Sequence, residues 1–127
     1  MNDSPASVTH TRIKDSLLVT LPDEFGPDTL IEVQRLTLDE IQQTMTASVI
    51  LECSAVKFMD AEEFEVIRSI TSMAAVLGAS PLIVGLKPEI IKYLVQTDLD
   101  VSGIQAFLGL NEALDYLDRN RHRDHQS

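Results

Sequence analysis

The run Ser48-Val49-Ile50-Leu51-Glu52-Cys53 is β-branched and almost continuously apolar, where a strand with one wet face would alternate. Such a strand is buried on both faces, so the sheet that contains it must be covered on both sides, and a chain of this length can do that with helices. The segments around it supply them. Asp60 precedes Phe64, Ile67, Ile70, Ala74 and Leu77, a helical stripe that Val66 and Met73 widen and that Gly78 closes as a C-cap. The opposite face of that helix carries Glu62, Glu65, Arg68, Ser69 and Ser72. Pro81-Leu82-Ile83-Val84-Gly85 is a second buried strand. Lys87-Pro88-Glu89 then opens another helix, with proline at a permitted early position and Ile90, Ile91, Leu94 and Val95 as its buried side.

Upstream, Leu17, Leu18, Val19 and Leu21 form a short strand between the turn Lys14-Asp15-Ser16 and Pro22, with an edge position open to it. Phe25-Gly26-Pro27-Asp28 punctuates the chain, and a helix is expected from Asp28 or a neighbour to about Met45. Its expected core face is Leu30, Ile31, Leu38, Ile41 and Met45. Val33 and Leu36 then point outward, as candidate contacts for self-association. Downstream, Ile104 to Leu108 is a last short strand, and Asn111 caps a final helix that buries Ala113, Leu114 and Leu117. The alternation predicts an α/β domain with a mostly parallel central sheet of four to five strands and about four helices. The boundaries read as a flexible leader over 1–11, one domain over 12–118, and a basic tail over 119–127 that contains Arg119, Arg121, His122, Arg123 and His125. In such a sheet the connections leaving the strand C-termini gather at one edge, and Ala55 to Glu63 is one of them.

Charge and chemistry narrow the function. Ten Lys and Arg against twenty Asp and Glu leave a formal charge of -10, which repels phosphate backbones and anionic lipid, so neither nucleic acid nor membrane is an expected partner. No apolar run approaches the roughly 20 residues that cross a bilayer, and the first residues carry no secretory signal, so the cytoplasm is the expected location. A lone Cys53 and three His at 10, 122 and 125 provide no metal-ligand spacing, and no cofactor is expected, since Gly78, Gly85, Gly103 and Gly109 are isolated and form no phosphate loop. Cys53 has no histidine near it in sequence to act as a base and reads as a core residue. Asp60, Glu62 and Glu63 are the densest carboxylate cluster, but Asp60 and Glu63 have the spacing of an N-cap with its capping-box partner. The residues therefore describe an interaction module, and no enzyme.

The run Val49-Ile50-Leu51-Glu52-Cys53-Ser54-Ala55-Val56-Lys57-Phe58-Met59-Asp60-Ala61, with Val66-Ile67 and Met73-Ala74-Ala75-Val76-Leu77-Gly78-Ala79, resembles the central motif of STAS domains, the anti-sigma-factor antagonist family. Gly85-Leu86-Lys87-Pro88 and Leu110 to Leu117 resemble the strand, turn and helices that follow in that family, so the likeness covers about Ile13 to Leu117. Within it the chain is most similar to RsbS-like stressosome scaffolds built from a lone STAS domain. The resemblance implies a bacterial cytoplasmic protein that forms homo- or hetero-oligomers with sensor-bearing STAS paralogues. It also implies that the protein holds a switch serine/threonine kinase or an anti-sigma factor until phosphorylation releases it. Lys57, Phe58, Met59, Asp60, Ala61, Glu62 and Glu63 are the implied partner-binding residues. The family's phosphoacceptor is the Ser or Thr directly after the Asp, and here that residue is Ala61, which has no oxygen to phosphorylate. The same resemblance leaves open a simple anti-sigma-factor antagonist or a soluble STAS subunit of a transporter. Ser54, Ser69, Thr71 and Ser72 are the hydroxyls that could substitute as acceptors.

Overall fold

The computed structural model describes residues 9–97 and 104–126, with side chains described as far as residue 121. In chain order the elements are β1 (Thr9–Ile13), β2 (Ser16–Thr20), α1 (Pro27–Gln43), β3 (Ser48–Glu52), α2 (Ala61–Val76), β4 (Ser80–Val84), α3 (Pro88–Gln96), β5 (Gln105–Phe107) and α4 (Leu110–Gln126). The strands form one sheet whose spatial order is the chain order, with β1 antiparallel to β2 and every other pair parallel.

The central strand is buried on both faces. Val49 and Leu51 of β3 join Leu30, Val33, Phe64, Ile67, Ile70, Ile90 and Leu94 in the core under α1, α2 and α3. Ile50, one residue out of phase, joins Leu82, Val84, Ala113 and Leu117 under α4 on the other face. Helix α2 ends as its glycine requires. Gly78 has φ +94°, its N–H donates to the Ala75 carbonyl (3.0 Å), and the Ala79 N–H reaches back to the Ala74 carbonyl (2.9 Å), which together make a Schellman motif.

Several expectations are corrected. Val33 is 0% exposed and Leu36 is half-buried, so the two do not form an outward self-association patch; the exposed large apolar residues on α1 and just beyond it are Ile31 (55%) and Met45 (90%). The buried stripe is Leu30, Val33, Thr37 and Ile41, a rotation of the helix that brings a polar Thr37 inside. That rotation is possible because Thr37 has a partner: its hydroxyl lies 3.4 Å from His10 Nε2. His10 belongs to β1, inside the stretch expected to be a flexible leader. Burial holds its imidazole below the ordinary pKa, partly offset by the Glu40 carboxylate. Arg12, two residues along the same strand, donates to the Met45 carbonyl (2.7 Å) and to the hydroxyls of Thr44 (3.1 Å) and Thr46 (3.2 Å). These contacts stitch β1 to the end of α1, and β2 becomes an interior strand.

Three smaller corrections have similar causes. On α3 only Ile90 and Leu94 are buried, while Ile91 and Val95 are exposed, because nine residues on a sheet surface bury a narrow stripe. Asn111 lies inside α4, which starts at Leu110. The helix continues through 119–126, where a fraying tail was expected, and Arg121 Nη2 binds Asp15 Oδ1 (2.7 Å), tying the helix to the β1–β2 turn.

The corrected rotation of α1 predicts opposite outcomes for neighbouring substitutions. Val33→Asp should cost more than about 3 kcal/mol by burying an unpaired carboxylate. Ile31→Asp should change stability by less than about 1 kcal/mol. Urea denaturation followed by circular dichroism measures both.

Candidate docking face

Because β2 to β5 are parallel, the connections that leave their C-terminal ends, and the N-termini of the helices they feed, share one end of the molecule. The β3–α2 connection, 53–60, lies at that end and is held from several sides. The Cys53 N–H continues the sheet ladder to the Val84 carbonyl (2.8 Å), and the Val56 N–H turns back to the Cys53 carbonyl (3.0 Å). The Glu52 carboxylate accepts from the Ser54 N–H (2.9 Å) and hydroxyl (2.8 Å). Lys87, at the start of α3, donates its ammonium to the carbonyls of Ser54 (2.6 Å) and Val56 (2.9 Å). On the other flank the Lys57 N–H donates to the Asp23 carbonyl (3.1 Å), and Lys57 Nζ pairs with Asp23 Oδ2 (3.7 Å).

Gly85 makes room for this arrangement. It has φ +77°, and a Cβ there would collide with the Ser54 hydroxyl and approach the Ser54 N and Cα to 3.0 and 3.1 Å. Both the backbone conformation and the close approach exclude a side chain.

The connection ends on Asp60, the N-cap of α2. Asp60 Oδ1 accepts from the Glu63 N–H (2.7 Å), and Glu63 Oε1 accepts from the Asp60 N–H (3.0 Å), the reciprocal capping box that the spacing predicts. These two carboxylates satisfy a helix end and lack the free geometry of an acid–base pair. Ala61 is the first residue of α2 and is partly exposed.

The implied partner-binding residues do not all face outward. Lys57, Phe58 and Glu62 are exposed, and Asp60, Ala61 and Glu63 are partly so. Met59 is 0% exposed and belongs to the core with Val56, so it anchors the loop from below and is unavailable to a partner. Phe58 is 55% exposed, and its ring lies against Tyr93 of α3 with centroids 5.2 Å apart and planes tilted by 59°. Lys87, Gly85, Asp23 and Tyr93 escaped sequence reasoning. Each acts across the sheet end on a loop distant in sequence, and only the positive-φ potential of Gly85 is a local signal.

Cys53 is fully buried, and burial pushes its thiol up to about 12, with the Glu52 carboxylate adding to the rise and Lys87 opposing it. Among the described residues no three His, Cys, Asp or Glu converge as a metal site. The alternative hydroxyls have structural partners or none of note: Thr71 is buried and donates to the Arg68 carbonyl (2.8 Å), and Ser69 accepts from Gln34 (3.0 Å).

The STAS domain model matches residues 7–113. The chain belongs to the STAS family. Among solved structures it is similar to a glutamate-for-serine variant of Moorella thermoacetica RsbS, at 23% identity over 92% of this chain and 99% of that one, with a TM-score of 0.80. A chain in the structure of the stressosome, described as a signal integration and transduction hub, matches at 22% identity over 89% and 98%, with a TM-score of 0.78. The phosphorylated Bacillus cell-fate determinant SpoIIAA matches at 12% identity over 87% and 99%, with a TM-score of 0.66. At these identities the likeness is one of fold. No curated protein sequence matches the chain. Among the described residues, no helix of this STAS domain is long and apolar enough to cross a membrane.

Two measurements probe the face. Gly85→Ala should destabilise the domain by about 2 kcal/mol or more in chemical denaturation, because strain and collision with the 53–60 loop add. Cys53 should resist iodoacetamide in the native protein at pH 8 to 9 and react on unfolding, as read by intact mass.

Proposed function

We propose that this STAS domain is a non-enzymatic partner-switch scaffold of a bacterial cytoplasm. Its face over Lys57 to Glu63 holds a switch serine/threonine kinase or an anti-sigma factor, and it co-assembles with sensor-bearing STAS paralogues in a stressosome-like oligomer. The observation that carries this reading is the position of Ala61: directly after the capped Asp60, first in α2, on the exposed end of the sheet. A phosphoryl group at that position would add a charge of about -1.5 to -2 beside Asp60, Glu62 and Glu63, and would repel any partner that had matched the unmodified surface. A methyl group cannot make that change. The protein therefore stays in its partner-holding state with respect to residue 61. The fold likeness to RsbS, to the stressosome chain and to SpoIIAA supports the same class of role.

The test is direct binding. Each switch kinase and anti-sigma factor encoded in the source genome is purified, mixed with the protein and followed by size-exclusion chromatography and calorimetry. One of them should form a complex with the native chain, and Ala61→Asp should weaken it about tenfold or more. With kinase and ATP, Ala61→Ser should gain one phosphate on residue 61 while the native chain gains none. Unaltered binding by Ala61→Asp removes the docking face from the proposal, and phosphate on Ser54, Ser69 or Ser72 of the native chain removes the fixed state.

A further inference from the structure

Phe58 is a large apolar side chain held in the open by design of its neighbours. Val56, two positions before it, and Met59, directly after it, are fully buried, yet the Phe58 ring is left more than half exposed and is braced against Tyr93. Tyr93 is itself partly buried against the core, so the pair is a rigid aromatic step bridging the 53–60 loop and α3. Preorganised aromatic surface of this kind, with few rotamers left to freeze, is what dominates binding energy at protein interfaces.

The surroundings are acidic. Asp23, Glu24, Asp60, Glu62, Glu89 and Glu112 lie in the connections or first helical turns at this end. The helix dipole accounts for an acid in a first turn. The cations of these connections and first turns, among the described residues, are Lys57 and Lys87, and the exposed Lys92 follows on α3 beside Tyr93. The first is paired with Asp23, and the second is turned inward onto two carbonyls. The end of the sheet thus projects negative potential around a central apolar step, on a chain that already carries -10.

We propose that the Phe58–Tyr93 pair is the anchor of the docking face and that the partner is a protein presenting an apolar socket ringed by Lys and Arg. This rests on the docking role assigned above and adds α3 and the chemistry of the partner to it. A second copy of this chain fits less well. Two of its cations at the opposite end are engaged, Arg12 with Glu40 and Arg121 with Asp15, the exposed Lys14 is a single charge, and like net charge opposes the approach.

The experiment uses the kinase or anti-sigma factor that binds the native chain, with surface plasmon resonance as the readout and thermal unfolding as the check on folding. Phe58→Ala should weaken the complex about 30-fold, mostly through faster dissociation. The double substitution Glu62→Lys with Glu89→Lys, or a rise from low to moderate salt, should slow association about tenfold. If Ala61→Asp disrupts the complex while Phe58→Ala and the charge reversal leave it within about twofold, the docking face stands and this inference falls. If all three leave binding unchanged, or no kinase or anti-sigma factor binds, both fall. Self-association that Phe58→Ala abolishes would identify a second copy as the occupant and overturn the basic partner.

Discussion

With Val49 and Leu51 turned toward the three-helix face and Ile50 toward α4, β3 has no solvated side, and its backbone groups can be satisfied only by strands on both edges. That requirement organises the rest. Connecting parallel neighbours takes a helix on each crossover, and the crossovers place every loop that leaves β2, β3 and β4 at the same end as the N-termini of α1, α2 and α3. The candidate docking face is therefore a consequence of burying one strand twice. It gathers acids because helix N-termini favour them, and it exposes loops because loops must reach water.

The residues that stabilise the start of α2 also shape the proposed docking face. Asp60 and Glu63 close a capping box, and in doing so they set the position of Ala61 and fix the direction in which the helix leaves the sheet. Burial of Met59 and the clamp of Lys87 on the Ser54 and Val56 carbonyls hold the preceding loop as a defined shape. A partner that meets such a surface loses little to ordering it, and a charge placed on it has nowhere to relax. The partner-switch role proposed for this chain would draw on both properties. On that proposal, alanine at residue 61 keeps the shape and removes the charge step.

Much of this was legible along the chain. The capping box was readable from the spacing of Asp60 and Glu63, the C-cap from Gly78, and the order of strands and helices from apolar runs that switch period. The rotation of α1 was not. Thr37 is polar and looks like a surface residue until His10, 27 positions away, is seen beside its hydroxyl, and once Thr37 turns inward Val33 must follow it and Ile31 must turn out. The segment holding His10 and Arg12 is polar enough to resemble a loose leader. It becomes a strand because its backbone pairs with β2 and its two basic side chains find partners on and just after α1.

What the amino-acid order determined by itself is whatever depends on near neighbours along the chain: the two caps of α2, the buried strands, and the alternation that makes the domain α/β. What only the tertiary structure decided is which side chains reach across the sheet end. Met59 goes down and Phe58 stays up, Lys87 turns in toward a loop more than thirty positions away, and Gly85 leaves the gap into which Ser54 fits. Local patterns are set by helical and strand periodicity, which a sequence displays directly. Contacts between loops depend on how closely separate strands approach, and no periodicity along the chain encodes that distance.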